Sequence, residues 1–323
     1  MLAESGLTLH QRLLETGIPR HRRGFVVVGE QHIQKLELPE VHDTYCIGSS
    51  GTWLIIVDIE KKIHLLNPFS RVQIDLPSLT TLENDYWERF VTKVIISSTP
   101  TSSADCIAMA IHLSSNNLAI ARPGDEFWTT VETPLYWIDD IIFYQEQFYT
   151  VNVEGKVMVC NIGDGGQSPK FSVLFDDLEK VSCARIRYLV EWLGEILLVE
   201  KFADDSYITH RFKVYKLDFA SRKWIELKSL GEHSLFLGLN TSVSVLASDD
   251  YSGWVKKNCI YFTFDNTLLQ HRRLNGTHAD IDVGVFDLED NSIKPLYEGI
   301  STSGRSRPVW IIPAQTNQVN IRE

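Results

Sequence analysis

Residues 43–77 read DTYCIGSSGTWLIIVDIEKKIHLLNPFSRVQIDLP, and this stretch decides the fold. It contains apolar runs at 53–57 and 63–66, joined by a polar turn, and an alternating run at 72–76 that follows the turn-forming pair Asn67-Pro68. Short runs of Trp, Ile and Val separated by Asp, Lys, Asn, Pro and Ser are typical of antiparallel strands joined by tight turns. The stretch therefore predicts a three-stranded antiparallel meander.

The same unit recurs four more times along the chain. Apolar runs bounded by turn-forming residues predict further groups of strands at 91–132, 138–175, 188–227 and 242–297. Segments that combine a third strand with its hairpin can be aligned, and their starts lie roughly 40 to 70 residues apart, near the period of propeller repeats plus insertions. These segments are IHLLNPFSRVQIDLP from Ile63, VMVCNIGDGGQSPKFSVLF from Val157, FKVYKLDFASRKWIELK from Phe212 and VGVFDLEDNSIKPLY from Val283, with LAIARPGDEFWTTVETP from Leu118 as a looser member.

Sheets of this kind must stack on one another, because a single one cannot cover both of its faces. We therefore predict an all-β, kelch-like β-propeller of about six blades, closed by pairing the run 309–312 with an N-terminal strand such as 25–28. An array of β-sandwiches is the less favoured alternative, since the chain lacks recognisable domain linkers. Helical periodicity is nearly absent after residue 20, apart from short pieces at 82–87 and 176–181.

The propeller is predicted to occupy residues 25–313, between an N-terminal extension at 1–24 and a C-terminal tail at 314–323. The extension is expected to be disordered or to form a short helix over 8–16, with Thr8 as its N-cap. No other domain is predicted.

Composition limits the classes of partner. The formal net charge of −11 and the sequence pI of about 5.4 argue against nucleic acid as the main partner. Five scattered cysteines without a CxxC pair predict reduced, mostly buried thiols. The N-terminus does not read as a secretory signal, and no apolar run approaches the roughly 20 residues that a membrane helix needs. We predict a monomer that binds neither membrane nor nucleic acid, in the cytoplasm or nucleus, with an organellar location left open.

No stretch of the chain carries a recognisable catalytic motif. The glycine cluster at 163–166 lacks the Lys-Ser/Thr pair of a phosphate loop, and neither HExxH nor GxSxG occurs. The eight tryptophans are expected to pack mostly between blades. Adjacent residues on a strand point to opposite faces, so four Asp-Asp pairs are interpreted as turn residues: Asp139-Asp140, Asp176-Asp177, Asp204-Asp205 and Asp249-Asp250. The sequence therefore predicts no catalytic residues, no cofactor and no metal.

Several blocks, in order, resemble the plant F-box-associated domain of unknown function, also called the KIB-type β-propeller. The first is CIGSSGTWLIIVD followed by HLLNPFSRVQIDLP. Later blocks are SLFLGLNTSVSV, KNCIYFT, DVGVFDLEDNSIKPLY and the closing PVWIIP, and the resemblance spans roughly residues 25 to 313. Leu239 stands where many relatives carry a polar residue. The positions that match the family pattern, all expected to be structural, are Gly48, Trp53, Leu54, Asn67, Pro68, Arg71, Leu76, Pro77, Gly238, Asn258, Tyr261, Phe262, Val285, Asp287 and Trp310.

The resemblance implies a protein-binding propeller that recognises substrates for an SCF ubiquitin ligase. In that family an upstream F-box docks to a Skp-type adaptor, and no F-box pattern is recognisable before the first strand, so adaptor docking is not predicted. Loops such as 163–169 and 265–280 are expected to contact the partner. Three alternatives stay open: an F-box-less organellar family member, a propeller hydrolase with acids converging on the central channel, and a duplicated sequence under little functional constraint.

Overall fold

The described residues form 25 strands and two short 3₁₀ turns, with no α-helix among them. The 3₁₀ turns are Pro39–Val41 and Leu79–Thr81. This computed structural model describes residues 7–10, 22–27, 33–41, 44–82, 91–100, 106–112, 117–134, 137–162, 169–175, 186–205, 207–238, 240–247, 255–263, 282–296 and 309–311. The helix predicted at 176–181 and nearly all of that at 82–87 lie outside these residues.

Four consecutive stretches of chain each form a four-stranded antiparallel sheet, which we number as blades I to IV. Blade I contains β4 (Tyr45–Ser50), β5 (Trp53–Val57), β6 (Lys62–Leu66) and β7 (Gln73–Ser78). Blade II contains β8 (Val91–Ile96), β9 (Ala108–His112), β10 (Asn117–Ala121) and β11 (Thr129–Val131). Blade III contains β12 (Ile138–Tyr144), β13 (Gln147–Asn152), β14 (Val157–Asn161) and β15 (Lys170–Phe175). Blade IV contains β16 (Ile186–Trp192), β17 (Glu195–Ala203), β18 (Thr209–Asp218) and β19 (Lys223–Leu227).

Two further sheets complete the structure, and the molecule is an all-β propeller. Blade V has five strands in the order β21-β20-β22-β23-β24: β20 (His233–Leu237), β21 (Val243–Leu246), β22 (Cys259–Phe262), β23 (Gly284–Asp287) and β24 (Ile293–Pro295). The terminal sheet has the order β25-β1-β2-β3: β1 (Leu7–His10), β2 (Arg22–Val27), β3 (Ile33–Glu37) and β25 (Val309–Ile311). About six blades are predicted. The structure has five blades formed by continuous stretches of chain, together with one terminal sheet in which both ends of the described chain meet.

The strands predicted for blades II to IV are confirmed within two residues at each end. Their second strands are buried on both faces: every residue of β9, and all but the first and last of β17, are inaccessible to solvent. A strand buried on both faces reads as a continuous apolar run instead of an alternating one. This burial follows from the stacking of each blade between two neighbours, and the apolar clusters of the core accordingly combine residues of adjacent blades.

The terminal sheet differs from the prediction in two ways. The helix predicted from Thr8 is wrong over its described part, because Leu7–His10 form β1, which pairs with β2 on one side and with β25 on the other. The direct partner of β25 is therefore β1, and β2 is one strand further out. An isolated helix of this length is marginal in water, whereas β1 gains backbone hydrogen bonds along both edges. Residues 11–21 lie outside the described part of the chain.

Closure between the terminal sheet and blade V depends on one side chain. Trp310, in β25, is buried and donates its indole N–H to the carbonyl of Leu237 at 2.8 Å. Its ring packs edge-on against Phe236 and Tyr261, with centroid distances of 4.9 and 6.3 Å. Its carbonyl accepts a hydrogen bond from the Ser49 hydroxyl of blade I. Trp310 therefore joins three consecutive sheets of the ring.

The prediction that the cysteines are mostly buried is confirmed within the described ranges: Cys46, Cys106, Cys160 and Cys259 are buried, and no disulfide joins these four. Burial raises the pKa of Cys160 to about 12 and that of Cys259 to about 11. Cys183 lies outside the described residues. None of the helices in the described ranges is long and apolar enough to cross a membrane.

Candidate functional site

The first strands of blades I to IV run in the same direction. Ser50, which ends β4, accepts the N–H of Ile96, which ends β8, at 3.2 Å. Asp140, the third residue of β12, pairs with Lys93, the third residue of β8, and accepts the N–H of Leu189 in β16 at 2.8 Å. Strands alternate in direction within a blade, so the hairpins after first and third strands share one end of the ring, here named the hairpin end. The hairpins after second strands and the connections between blades I to IV lie at the opposite end, here named the crossover end.

A buried ion pair connects blades II and III near the start of their first strands. The Lys93 ammonium group contacts the Asp140 carboxylate, and the two residues are only 3% and 1% exposed. Asp140 also accepts the N–H of Ile141 at 2.9 Å, so both of its oxygens have backbone or ammonium donors. Burial raises the pKa of Asp140 above its ordinary value, and the neighbouring Lys93 offsets only part of that rise. The pair fixes two blades to each other in a dry environment.

A second group of buried charges links blades III and IV. Arg187 Nη1 lies 3.4 Å from Asp139 Oδ2, and Arg187 Nε lies 3.3 Å from Glu200 Oε1. Asp139 and Asp140 were expected to be turn residues, and this is wrong: both lie in β12. The register of β12 on β13 shifts between Ile138 and Asp140. Blade III is stacked between two neighbours, so both of its faces are covered: Asp140 pairs with Lys93 of blade II, Asp139 pairs with Arg187 of blade IV, and their side chains are only 1% and 11% exposed.

A third buried pair links blades IV and V. Lys201 Nζ lies 2.8 Å from Asp282 Oδ2, which also accepts the Thr209 hydroxyl at 2.6 Å. The other oxygen of Asp282 accepts the N–H of Thr209 at 3.0 Å. Burial lowers the pKa of Lys201 while Asp282 opposes that change. Each of these buried acids therefore faces a cation, and no group of three or more His, Cys, Asp or Glu within the described ranges could hold a metal ion.

Asp139 gives the fold a pH dependence. Burial raises its pKa to about 7, although Arg187 opposes the shift, against 3.8 for an ordinary aspartate. Between these two values the folded protein holds a proton that the unfolded chain releases, so the contribution of Asp139 to stability is full at low pH and is lost as pH rises from about 4 to about 7.

For Asp139→Asn we expect this loss to disappear, which changes the free energy of unfolding across the window by roughly 2–4 kcal/mol relative to wild type. Urea denaturation at a series of pH values measures it, with the exposed Glu132→Gln as the control for one lost charge. Parallel pH profiles of wild type and Asp139→Asn would contradict the assignment.

Three hairpins at the crossover end share one turn. Their sequences are DIEKK at 58–62, NVEGK at 152–156 and DDSYI at 204–208. In each, a side-chain oxygen of the first residue accepts the N–H of the fifth, at 2.9 Å in all three. The fourth residue is left-handed, with φ of 68°, 80° and 62°. Such Asx turns hold the loop backbone in one conformation, so the side chains that they display are preorganised. The pair Asp204-Asp205 is thereby confirmed as turn residues.

Large apolar side chains are exposed at both ends of the ring. At the hairpin end they are Phe69, Val72, Phe127, Leu193 and Phe219, and at the crossover end they are Ile59, Trp137, Val153 and Ile208. Ile59 and Val153 both occupy the second position of the repeated Asx turn, in blades I and III. Solvent-exposed aromatic and aliphatic side chains on preorganised loops are the usual anchors of protein–protein interfaces.

Two of these residues, Trp137 at the crossover end and Leu193 at the hairpin end, have a left-handed backbone, and Trp137 is the larger side chain. It is 63% exposed and left-handed, with φ of 61°, a conformation that a bulky residue seldom adopts. Its carbonyl accepts the N–H of Val153 at 2.9 Å, which fixes the backbone there and sets Val153, itself exposed, beside it. Backbone strain of this kind amounts to about 1–3 kcal/mol and is concentrated at functional sites. We name these two residues the Trp137–Val153 patch.

A cleft of about 740 Å³ opens between blades IV and V. Its apolar part is formed by Phe212, Val214, Leu227 and Phe286, and its rim by lysines and acids. Three lysines of the rim pair with acids of the same rim: Lys228 with Glu226, Lys256 with Asp287 and Lys257 with Glu232. The charges of the cleft therefore largely neutralise one another.

The family-pattern residues of blade I lie in its core and in one tight turn. Gly48 follows the bulge in β4, and Trp53, Leu54, Leu76, Pro68 and Pro77 are buried. Asn67 Oδ1 accepts the N–H groups of Phe69 and Ser70, each at 3.0 Å. Arg71 is left-handed, with φ of 63°, and its Nη1 contacts both oxygens of Glu40 at 3.1–3.2 Å. The Pro77 carbonyl accepts the indole N–H of Trp128 at 2.9 Å, which ties blade I to blade II.

The family-pattern residues of blade V pack around the junction with the terminal sheet. Tyr261 stacks on Phe236 with centroids 4.6 Å apart, Phe262 packs on Phe212 of blade IV, and Val285 is half-buried beside Tyr261 and Trp310. A side chain on Gly238 would place its Cβ 2.1 Å from Thr263 Oγ1, so only glycine fits.

Two polar members of this group hold turns. Asn258 Oδ1 accepts the N–H of Leu230 at 2.9 Å, and Asp287 Oδ1 accepts that of Glu289 at 2.9 Å. The fifteen residues thus lie at blade cores, turns and junctions, and three of them, Asn67, Pro68 and Arg71, share a turn with the exposed Phe69 and Val72.

The loops predicted to contact a partner fall almost entirely outside the described residues, which exclude 163–168 and 264–281. Sequence reasoning missed the Trp137–Val153 patch and the strands β4 and β20. It also missed the repeated Asx turns, although their signal was present as an Asp or Asn four or five residues before the next strand in DIEKK, NVEGK and DDSYI.

Comparison with known proteins gives the following matches. The family model described as KIB1-4 beta-propeller matches residues 25–287. The F-box/kelch-repeat protein KIB1 of Arabidopsis thaliana is 28% identical over 282 residues, which cover 82% of this chain and 66% of that protein. The F-box protein KIB2 of the same plant is 27% identical over 293 residues, which cover 80% of this chain and 62% of that protein. The chain thus spans somewhat under two thirds of the length of these two relatives.

Among solved structures, a protein of unknown function from Bacteroides caccae aligns over 96% of this chain and 100% of its own, with 11% identity and a TM-score of 0.42.

Proposed function

This chain belongs to the KIB1-4 beta-propeller family, and from that membership we propose that it is a non-enzymatic propeller that binds a protein partner through its end loops. The observation that carries the proposal is the exposure of Trp137 beside Val153 on a fixed backbone. Backbone strain and the exposure of a large aromatic side chain both oppose folding. Binding a partner buries this side chain in apolar contacts that it does not make in the free protein.

The proposed partner is a protein that the propeller selects for ubiquitination. Two relatives are named as F-box proteins, and in such proteins the propeller is the substrate-recognition part of an SCF ligase. A propeller hydrolase has less support, because the buried acids Asp139, Asp140 and Asp282 each face a cation in the described core. The family propeller is proposed to occupy residues 25–313, joined by β1, and to act as a monomer without cofactor, in the cytoplasm or nucleus.

Affinity purification from plant tissue followed by mass spectrometry tests the proposal. The full chain serves as bait, with Trp137→Ala and Phe219→Ser as matched baits that each lose one exposed apolar side chain at opposite ends of the ring. We expect at least one defined protein to bind the purified chain directly and to be lost with one of the two variants. Co-purification of a Skp-type adaptor would connect the complex to ubiquitin ligation. If no protein binds the wild-type chain directly, or if all binding is unaffected by both variants, the proposal is wrong.

A further inference from the structure

The surroundings of the Trp137–Val153 patch are acidic. Glu132 is exposed five residues before Trp137, Glu154 follows Val153, and Asp204-Asp205 begin the equivalent turn of the neighbouring blade. The segments 132–137, 152–156 and 204–208 contain one lysine, Lys156, whose Nζ lies 3.2 Å from Glu154 Oε2. The described residues of these segments hold four carboxylates and one ammonium group, a net charge of −3.

The hairpin end is closer to neutral. Its described turns hold the acids Asp125, Glu126, Glu146 and Asp218 together with the bases Arg71, Arg122 and Arg222, a net charge of −1. Both ends expose apolar side chains, so the local charge is what distinguishes them. Opposite charge on a partner speeds encounter and selects orientation, while a like charge opposes docking.

We infer that the crossover end of blades III and IV, centred on the Trp137–Val153 patch, binds a basic segment of a partner protein. An apolar side chain of that segment contacts Trp137 and Val153, and lysine or arginine residues on either side of it face Glu132, Glu154 and Asp204-Asp205. This inference rests on the proposed function and names the partner's chemistry.

The geometry favours this surface in two ways. Asn152 accepts the N–H groups of Glu154 and Lys156, at 3.1 and 2.9 Å, and Asp204 accepts that of Ile208 at 2.9 Å, so both turns need little ordering when they bind. Ile208, also exposed, ends the turn of blade IV and extends the apolar area towards that blade.

Selection from a displayed library of random 12-residue peptides tests the inference. The immobilised full chain is the target, and synthetic copies of enriched peptides are titrated by fluorescence anisotropy. We expect enriched peptides to place lysine or arginine on both sides of an apolar residue. Affinity should fall at least about thirtyfold for Trp137→Ala, the expected effect of truncating a central aromatic anchor. It should fall roughly twofold to fivefold for Glu132→Gln/Glu154→Gln and decrease further with added salt.

Two controls test whether binding depends on this surface and on the positive charge of the peptide. Phe219→Ser removes an exposed apolar side chain at the hairpin end and should leave peptide affinity unchanged. A peptide with glutamate in place of every lysine and arginine should not bind. Trp137 is exposed, so Trp137→Ala should unfold at the same urea concentration as wild type, which separates lost binding from lost structure.

Enrichment of acidic peptides, binding that survives Trp137→Ala, or failure to enrich any peptide would each overturn the inference. These outcomes are distinguishable from failure of the proposed function. A partner that the purification finds bound to Trp137→Ala but not to Phe219→Ser would keep the protein-binding function and reject this surface.

Discussion

Replacing Trp310 by alanine is expected to lower the free energy of unfolding by about 3–5 kcal/mol, as for other large buried aromatic side chains. The ring of Trp310 fills the junction between the terminal sheet and blade V, against Phe236 and Tyr261, and its N–H reaches the Leu237 carbonyl. Alanine leaves a cavity where the first and last parts of the propeller meet. Urea denaturation followed by circular dichroism gives the measurement.

Trp310→Phe separates packing from hydrogen bonding. Phenylalanine keeps an aromatic ring beside Phe236 and loses the indole N–H, while the Leu237 carbonyl still accepts the N–H of Thr263 at 3.0 Å. We therefore expect a smaller loss, about 1–2 kcal/mol. Trp137→Ala is the matched control, because that tryptophan is exposed and its removal should change stability by less than about 0.5 kcal/mol. Equal losses for Trp310→Ala and Trp137→Ala would show that Trp310 does not close the ring.

The parts of the fold that could be predicted from sequence are those with local signals. The strands of blades II to IV follow from short apolar runs between turn residues, because antiparallel neighbours are adjacent in sequence. Two strands were missed: β20 has a partner distant in sequence, and β4 has a composition that is not typical of a strand. β20 lies between β21 and β22 and pairs in parallel with β22, its Leu235 opposite Ile260, across a connection of more than twenty residues. β4 is rich in glycine and serine, so its composition resembles a loop.

The terminal sheet illustrates a related limit. A helix is predicted over residues 8–16 because Leu9 begins a helical spacing, yet the conformation of its described part, 8–10, is decided by pairing with β2 and with the distant β25. Tertiary pairing overrides a weak local preference. No pattern within the first twenty residues contains that information.

The candidate site could be predicted less well than the fold. The family-pattern residues are readable in sequence through the resemblance, and among them Trp310 is buried and Asn67 holds a turn. The exposure of Trp137 was not readable, since the other tryptophans in the described ranges pack in or against the core clusters and nothing local marks the exception. The buried charges were also hidden, because the sequence does not show that neighbouring blades cover both faces of β12.

Breaking the buried pair between Lys93 and Asp140 is the second change with a large expected effect. Lys93→Met leaves the Asp140 carboxylate buried without its cation, and Asp140→Asn leaves the Lys93 ammonium group buried without its anion. Each single change is expected to lower the free energy of unfolding by about 3–5 kcal/mol, because an unpaired charge in the core has lost its water without compensation.

The double variant Lys93→Met/Asp140→Asn distinguishes the charge pair from simple packing. It buries no charge, and the asparagine carbonyl can still accept the N–H of Leu189 or Ile141, so it should be more stable than either single variant. The exposed pair Lys62–Glu60, at 2.8 Å, is the matched control, in which solvent screening should leave no measurable coupling. If the two single losses at Lys93 and Asp140 simply add in the double variant, the pair does not join blades II and III.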